Sequence, residues 1–297
     1  MSLAPHVRLP LQCLAITVLA LSLQGQTLQP ADCTFQYFPL PSSVFTLVNG
    51  INDFGTIVGQ ANSATEARGF IRYSNGGITY VKIPNSQGMG FNARNNNGVS
   101  IGGYTLKGDP GTPEDPGNPV QRAFVMRGST FTTILPPKSR DGTFAQGINK
   151  YDTVVGYYID PQFRAHGFRL WSNGSYDELT FPESVWTQPA AINDNGFIVG
   201  NYNVNGTLIG FIFHNGEWAS LAYPDPNTTA TFLLGISKTG VIVGAFERSD
   251  LSSGSFIYEN GVFKTLDGVS GISQDGTVVG VNSDSNGVGQ MFTAKCK

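Results

Sequence analysis

One phrase recurs along this chain and constrains its fold more than any other feature. GINDFGTIVGQ occupies residues 50–60, and close copies begin at Ala93, Gly147, Ala191, Gly235 and Gly271. Each copy has an apolar approach, an Asn-Asp-x-Gly turn or a variant of it, and an alternating run such as TIVG. Asn and Asp cap such turns and Gly supplies the positive φ of a tight hairpin, so each copy predicts two antiparallel strands. One copy carries Asp152 in place of the Gly, and Asp is among the few residues tolerated at positive φ.

A second phrase follows the first and again indicates strand, Asn-Gly-type turn, strand. Examples are RGFIRYSNGGITYVKIP from Arg68 and HGFRLWSNGSYDELTFP from His166. The two phrases together make a four-stranded meander, and their turns recur every 36 to 54 residues. A four-stranded unit at this period is typical of β-propellers. The sequence therefore predicts an all-β fold, a six-bladed β-propeller of four-stranded antiparallel blades, as a single domain over residues 31–297.

The two ends of the repeat array complement each other. The last copy stops before a fourth strand, whereas CTFQYFPLP, from Cys33, has no hairpin partner of its own. Aligned with the fifth copy, Cys33 and Cys296 fall on the Asn-Gly turn that joins strands three and four elsewhere. We therefore expect the N-terminal strand to complete the last blade, closed by a Cys33–Cys296 disulfide. The alternative is two unpaired thiols, which an oxidising compartment disfavours.

The N-terminus has the pattern of an export signal. His6 and Arg8 precede an apolar run from Leu11 to Leu23, and polar QGQT follows. This predicts a signal peptide over residues 1–26, with an uncleaved anchor as the alternative. No second apolar stretch follows, so we expect a secreted, extracellular or periplasmic protein with no membrane span after signal removal. A formal net charge of -3 gives no electrostatic reason to expect nucleic acid as a partner. We expect a monomer.

The paired phrases resemble a known family of repeats. GINKYDTVVGYY with HGFRLWSNGSYDELTFP is similar to the HAF-type extracellular repeats of exported bacterial proteins, and the resemblance covers about residues 34–292. The His-Ala-Phe step of that family appears here once, as His166-Gly167-Phe168; Arg, Ile or Gly replaces the His in other copies. The resemblance implies export and a β-propeller fold. It implies no particular activity, because most such proteins have none assigned.

Few residues carry recognisable chemistry. Without the signal peptide only His166 and His214 remain, too few for a histidine metal cluster. We expect no cofactor; the alternative is a calcium site in the insertion at 105–121, formed by Asp109, Glu114 and Asp115. Glycoside hydrolysis requires two carboxyl groups about 5–10 Å apart, and the sequence identifies no such pair.

Topology is a better guide to a binding site than motifs. The loops between second and third strands, and the connections between blades, share one face and are the longest and most variable segments, which is where binding normally resides. Aromatic residues end the second strands and cationic residues begin the third, a lining that suits sugars, peptides or acidic groups. The candidate ligand-binding residues are Tyr104, Tyr157, Tyr158, Tyr202, Phe246, Arg68, Arg122 and His166. The alternative is that these side chains only pack between blades.

The sequence thus favours an exported, non-enzymatic scaffold that binds a polysaccharide, a peptide or an envelope surface protein through its loop face. The alternative function is a carbohydrate-active enzyme, a glycosidase or lyase, with its site at the mouth of the central channel. A pair of carboxylates facing the axis with strongly shifted pKa values would favour the enzyme. A purely structural envelope protein is the third possibility.

Overall fold

A computed structural model describes residues 29–39, 45–63, 66–112, 116–139, 142–283 and 289–296. The predicted signal peptide, residues 1–26, lies outside them. All regular secondary structure in the described segments is β-strand. In chain order the strands are β1 (Gln29–Pro30), β2 (Cys33–Pro39), β3 (Phe45–Ile51), β4 (Ile57–Asn62), β5 (Ala67–Arg72), β6 (Ile78–Val81), β7 (Ser86–Arg94), β8 (Ser100–Leu106), β9 (Arg122–Arg127), β10 (Thr130–Ile134), β11 (Gly142–Ile148), β12 (Val154–Ile159), β13 (Ala165–Leu170), β14 (Tyr176–Leu179), β15 (Trp186–Ile192), β16 (Ile198–Val204), β17 (Thr207–His214), β18 (Glu217–Leu221), β19 (Thr228–Ile236), β20 (Ile242–Arg248), β21 (Ser253–Glu259), β22 (Val262–Thr265), β23 (Val269–Ile272), β24 (Val278–Ser283) and β25 (Gly289–Cys296).

Strand β1 pairs in parallel with β22. The other strands form antiparallel four-stranded meanders, which we call units. Units 1 to 5 are β3–β6, β7–β10, β11–β14, β15–β18 and β19–β22. Unit 6 is β23–β25 with β2 as its fourth strand. The prediction of an all-β fold built from antiparallel meanders is confirmed.

The two chain ends meet in unit 6. Strand β2 runs antiparallel to β25 from the pair Cys33↔Cys296 to the pair Pro39↔Gln290. The two cysteines form a disulfide across a sequence separation of 263 residues. Both the expected disulfide and the expected N-terminal fourth strand are present, so the last unit is complete although its strands come from opposite ends of the chain.

The side chain of the recurrent Asn hydrogen-bonds the backbone of the first hairpin turn in its unit. In unit 3 the Asn149 side-chain oxygen accepts hydrogen bonds from the backbone N–H groups of Tyr151 and Thr153. Asp152 has φ +59°, in the left-handed region, as do the glycines that occupy this position in the other units, such as Gly55 and Gly98. The sequence-based reading of this turn is confirmed.

A Gly–Phe pair holds the middle of each sheet together. Gly156 on β12 lies opposite Phe168 on β13, and a Cβ at Gly156 would lie 1.9 Å from the carbonyl oxygen of Phe144. Only glycine fits that approach, and the fully buried Phe ring covers the space beside it. The pattern recurs in every unit, with the buried rings Phe70, Phe124, Phe168, Phe211, Phe256 and Phe292.

A ladder of asparagine amides joins successive units near the axis. The Asn52 amide donates to the Asn95 carbonyl at 3.3 Å, and three more steps follow: Asn95 to Asn149 at 2.9 Å, Asn149 to Asn193 at 3.4 Å and Asn193 to Ser237 at 2.9 Å. Two backbone N–H groups complete the circuit: that of Lys238 donates to the Gln274 carbonyl, and that of Asp275 donates to the Asp53 carboxylate. Each unit therefore contacts the next, and the sixth contacts the first.

Candidate functional site

We call the side with the loops between second and third strands, and the connections between units, the loop face. The hairpins on the other side form the turn face. Single parallel bridges hold neighbouring units together at the loop face: Ala67↔Gly88, Gln121↔Gly142 and Leu208↔Ala230. The backbone therefore forms a braced rim there, and the variable loops stand on it.

Three of the predicted aromatic residues lie inside the protein rather than on this rim. Tyr158, Tyr202 and Phe246 are only 4%, 6% and 3% exposed. Tyr202 stacks on Phe181 with ring centroids 3.7 Å apart, and Phe246 stacks on Tyr223 at 3.8 Å. Both partner rings lie in the connection from the preceding unit. These side chains pack between units, which is the alternative that the sequence left open for them.

The remaining predicted aromatics are partly exposed. The Tyr104 hydroxyl hydrogen-bonds the Thr133 hydroxyl at 3.0 Å. Tyr157 faces the opposite side of its sheet from Tyr158 and stacks on Phe144, with centroids 4.6 Å apart and planes 14° apart. Of the five, Tyr104 and Tyr157 are therefore the two that remain near solvent.

His166 lies in a separate charged cluster in unit 3. Its Nε2 is 2.9 Å from Asp160 and its Nδ1 is 3.5 Å from Glu178, while its ring stacks on Tyr158 at 5.1 Å. Burial works to raise the pKa of Asp160, but hydrogen bonds from Arg164 and His166 outweigh it and hold that pKa well below its usual range. Burial and the Glu178 charge raise the pKa of Tyr158 to about 12. The imidazole is thus bracketed by two carboxylates, and the cluster ties three strands of the unit together.

A cleft of about 660 Å³ opens on the loop face over unit 2. That volume falls within the range of small-molecule sites, about 300–1,000 Å³. Most of the lining side chains carry amides or hydroxyls, and a single aromatic ring, that of Phe144, borders it. The lining residues are Asn62, Ser63, Glu66, Ala67, Gln87, Gly88, Thr105, Asn118, Pro119, Gln121 and Phe144. We call this space the loop-face cleft.

Two of the predicted binding residues contact side chains that line the loop-face cleft: Arg68 lies 3.7 Å from Glu66, and Tyr157 stacks on Phe144. Tyr104 and Arg122 are chain neighbours of the lining residues Thr105 and Gln121. His166 lies at a separate site. The amide-bearing side chains of the cleft were missed by sequence reasoning, because isolated Asn and Gln residues in loops carry no pattern.

The charged groups around the loop-face cleft are paired with one another. Glu66 accepts a hydrogen bond from Lys82 and lies 3.7 Å from Arg68, whose guanidinium sits over the Tyr80 ring at 4.8 Å. Arg122 lies 2.5 Å from Asp109. The hydrogen bond from Arg122 holds the pKa of Asp109 below its usual range.

Two residues of the predicted calcium alternative, Glu114 and Asp115, lie outside the described residues. The third, Asp109, is bonded to Arg122 and accepts the backbone N–H of Gly111 at 3.0 Å. These contacts fix the base of the insertion next to the loop-face cleft. Among the described residues, no group of three or more His, Cys, Asp or Glu side chains lies close enough together to hold a metal ion.

The axis of the molecule encloses a second, smaller cavity of about 80 Å³ between the first strands of the units. Amides line much of it: Asn49 donates to the Phe91 carbonyl at 2.9 Å, and Asn92 donates to the Ala145 carbonyl at 2.8 Å. Asp194 is the one carboxylate among its lining residues, and it lies 4.0 Å from Lys150. The volume is well below the roughly 300 Å³ at which ligand pockets begin.

The turn-face end of the axis is bridged by side chains. Asp194 donates its backbone N–H to the Gln274 side-chain oxygen at 2.9 Å, a contact that reaches from unit 4 to unit 6. Asn96 and Asp53 exchange two hydrogen bonds at the same level. Units 4 and 6 are therefore joined across the axis at its turn-face end.

Carboxyl groups elsewhere are held in their charged forms. Every described carboxyl whose pKa departs from the ordinary value has it lowered, because hydrogen bonds and ion pairs outweigh burial. For Glu178 the principal cause is the hydrogen bond from Lys138. A glycosidase acid needs the opposite shift, a raised pKa.

Across the described residues, no helix has the length and apolar character needed to cross a bilayer. No protein-family model matches the chain, and no curated protein sequence matches it.

Several solved structures are similar to this one. A candidate TolB from Agrobacterium tumefaciens has a TM-score of 0.58 at 11% identity and covers 89% of this chain and 98% of its own. The β-propeller domain of the Trilobed protease from Pyrococcus furiosus has a TM-score of 0.52 at 12% identity, covering 85% and 80%. An inactive virginiamycin B lyase from Staphylococcus aureus has a TM-score of 0.50 at 11% identity, covering 89% and 99%. At such identities the likeness concerns the fold alone: this chain has a β-propeller fold.

Proposed function

We propose that the chain is a six-bladed β-propeller of the HAF-repeat type, exported to the periplasm or the cell exterior, and monomeric. The six meanders would each form one blade, with β2 supplying the last strand. The disulfide supports export, because such bonds persist in oxidising compartments. The apolar N-terminal segment supports it independently.

Its function, in this proposal, is to bind a polysaccharide, a peptide or an envelope protein through the loop face. The loop-face cleft carries the argument, because it combines a ligand-sized volume with a polar lining and the Phe144 ring. The braced rim beneath it supplies rigidity, and a preorganised site loses less entropy on binding.

The enzymatic alternative requires an acid and a second carboxylate around one space. The axial cavity has Asp194 alone, paired with Lys150. The loop-face cleft has Glu66 alone, paired with Lys82 and Arg68. Neither lining favours glycoside hydrolysis, which needs two carboxyl groups. Asp177 and Glu178 do border one pocket in unit 3, but its volume is about 190 Å³, and ion pairs with Arg169 and Lys138 hold the pKa of each carboxyl below its usual range. These arrangements support a binding role.

A panel of immobilised polysaccharides and unstructured peptides, probed with the oxidised protein, tests the proposal. Reducing-sugar release is followed on every polysaccharide that binds. We expect binding without release. Release of reducing sugar would support the carbohydrate-active enzyme instead. Absence of binding to every member of the panel would support a purely structural role.

A further inference from the structure

Two side-chain amides in the loop-face cleft have no hydrogen-bond partner among the described residues. Neither Gln87 nor Gln121 makes a side-chain hydrogen bond to any described residue. The Gln121 amide lies against Gly103, where a Cβ would be only 2.0 Å from its nitrogen. The missing side chain at Gly103 therefore makes room for the amide. Each side-chain amide therefore offers two N–H donors and one carbonyl acceptor to a ligand.

An aromatic wall stands beside these amides. Phe144 borders the loop-face cleft, and its ring is stacked on Tyr157 at 4.6 Å. The stack fixes the orientation of the ring, so a flat apolar surface is available without further ordering. Sugar rings present both hydroxyl groups, which donate and accept, and C–H faces. The amides can hydrogen-bond the hydroxyl groups, and the fixed Phe144 ring can pack against a C–H face.

Charge narrows the class of ligand. Among the described residues, the acidic side chains at the cleft form ion pairs: Glu66 with Lys82 and Arg68, and Asp109 with Arg122. An anion that took Arg122 would leave Asp109, only 5% exposed, without its partner, which is unfavourable. Lys82 and Arg68 share the partly exposed Glu66, where an ion pair contributes little. A neutral ligand leaves all three pairs intact.

The backbone at the cleft disfavours an extended peptide. Peptides commonly bind by adding a strand to a free sheet edge. Here β5 and β7 are bridged at Ala67↔Gly88, and Gln121 is bridged to Gly142. The strand ends that border the cleft are therefore already engaged with one another.

We propose that the loop-face cleft binds a neutral saccharide, with a sugar ring against Phe144 and its hydroxyls on the amides of Gln87 and Gln121. This inference rests on the proposed loop-face binding function. It adds the chemical class of the ligand and the residues that recognise it.

The test measures affinity of the oxidised protein for neutral glucan, mannan and galactan fragments, and for polygalacturonate and alginate fragments, by calorimetry. We expect a neutral fragment to bind with an affinity that changes little between low and high salt. Gln87→Ala and Gln121→Ala should each weaken it by about threefold to tenfold, the range for one lost hydrogen bond. Phe144→Leu, checked for an unchanged melting temperature, should weaken it further.

Gln162→Ala is the matched control, because Gln162 is an exposed glutamine on the loop face of unit 3, away from the cleft. It should bind as the wild type does. Tighter, salt-sensitive binding of the acidic fragments would overturn the neutral assignment while leaving a loop-face binding function standing. If the cleft variants bind the neutral fragment with wild-type affinity, the proposed site is refuted. Binding of peptides alone would refute the saccharide, and binding of nothing would refute the proposed function as well.

Discussion

Replacing both cysteines by serine tests how the last unit is closed. The Cys33–Cys296 bond closes a loop of 263 residues, and the chain-entropy model assigns such a loop about 5.5 kcal/mol. With about 2.1 cal/mol/K of unfolding entropy per residue over this domain, that corresponds to a fall of roughly 10 °C in melting temperature. The seven paired residues of β2 remain in the variant, so the figure is an upper value.

Calorimetry of the Cys33→Ser/Cys296→Ser variant and of the wild type, with and without reductant, gives the answer. The reduced wild type should melt with the variant, and reductant should leave the variant unchanged. Hydrogen exchange should rise first in β2 and β25, because those strands lose their covalent joint. A variant that melts with the oxidised wild type would refute the reasoning, as would faster exchange confined to another unit.

Three further substitutions probe the repeat itself. Asn149→Ala removes two turn hydrogen bonds and one inter-unit bond and should cost about 2–4 kcal/mol in urea unfolding, whereas Asn173→Ala in an exposed turn should cost about 1 kcal/mol or less. Gly156→Ala places a methyl group 1.9 Å from a carbonyl oxygen and should yield insoluble protein, while Gly77→Ala should remain soluble. Hydrogen bonds outweigh burial and lower the pKa of Asp275 to about 2, so its contribution to stability is present above the unfolded pKa near 3.9 and is lost as pH falls through about 2. The melting temperatures of wild type and Asp275→Asn should therefore differ most above pH 4 and converge below it. A constant difference from pH 5 to pH 2 would contradict that assignment.

The repeat period and the two cysteines were sufficient to predict the strands and the seam. Hairpin turns depend on neighbouring residues, so Asp152 could be placed at positive φ from the sequence alone. The pairing of Cys33 with Cys296 followed because each filled half of a turn that the other units have intact.

The sequence could not show which aromatics reach solvent. Tyr157 and Tyr158 are adjacent and point to opposite sides of one sheet, yet Tyr158 is buried and Tyr157 is partly exposed. The alternation of side chains along a strand predicts which side of the sheet each residue faces. It does not predict how far that side chain is buried, because burial depends on rings from the preceding connection, such as Phe181 on Tyr202 and Tyr223 on Phe246. The recurrent Asn was read as a local turn cap. Its second contact, to the next unit, arises from packing over some 43 to 54 residues.

The covalent seam also determines how the protein carries mechanical load. The Cα atoms of Cys33 and Cys296 lie only 4.0 Å apart, so the disulfide joins the first residue of β2 to the last residue of β25. Tension applied to the polypeptide on either side first loads the short pairing of β1 with β22, then passes through the sulfur–sulfur bond and bypasses the six units. Under oxidising conditions a pulled molecule would lengthen very little. Reduction would transfer the same force to β2, which would peel from β25 and open the circle of units one strand at a time.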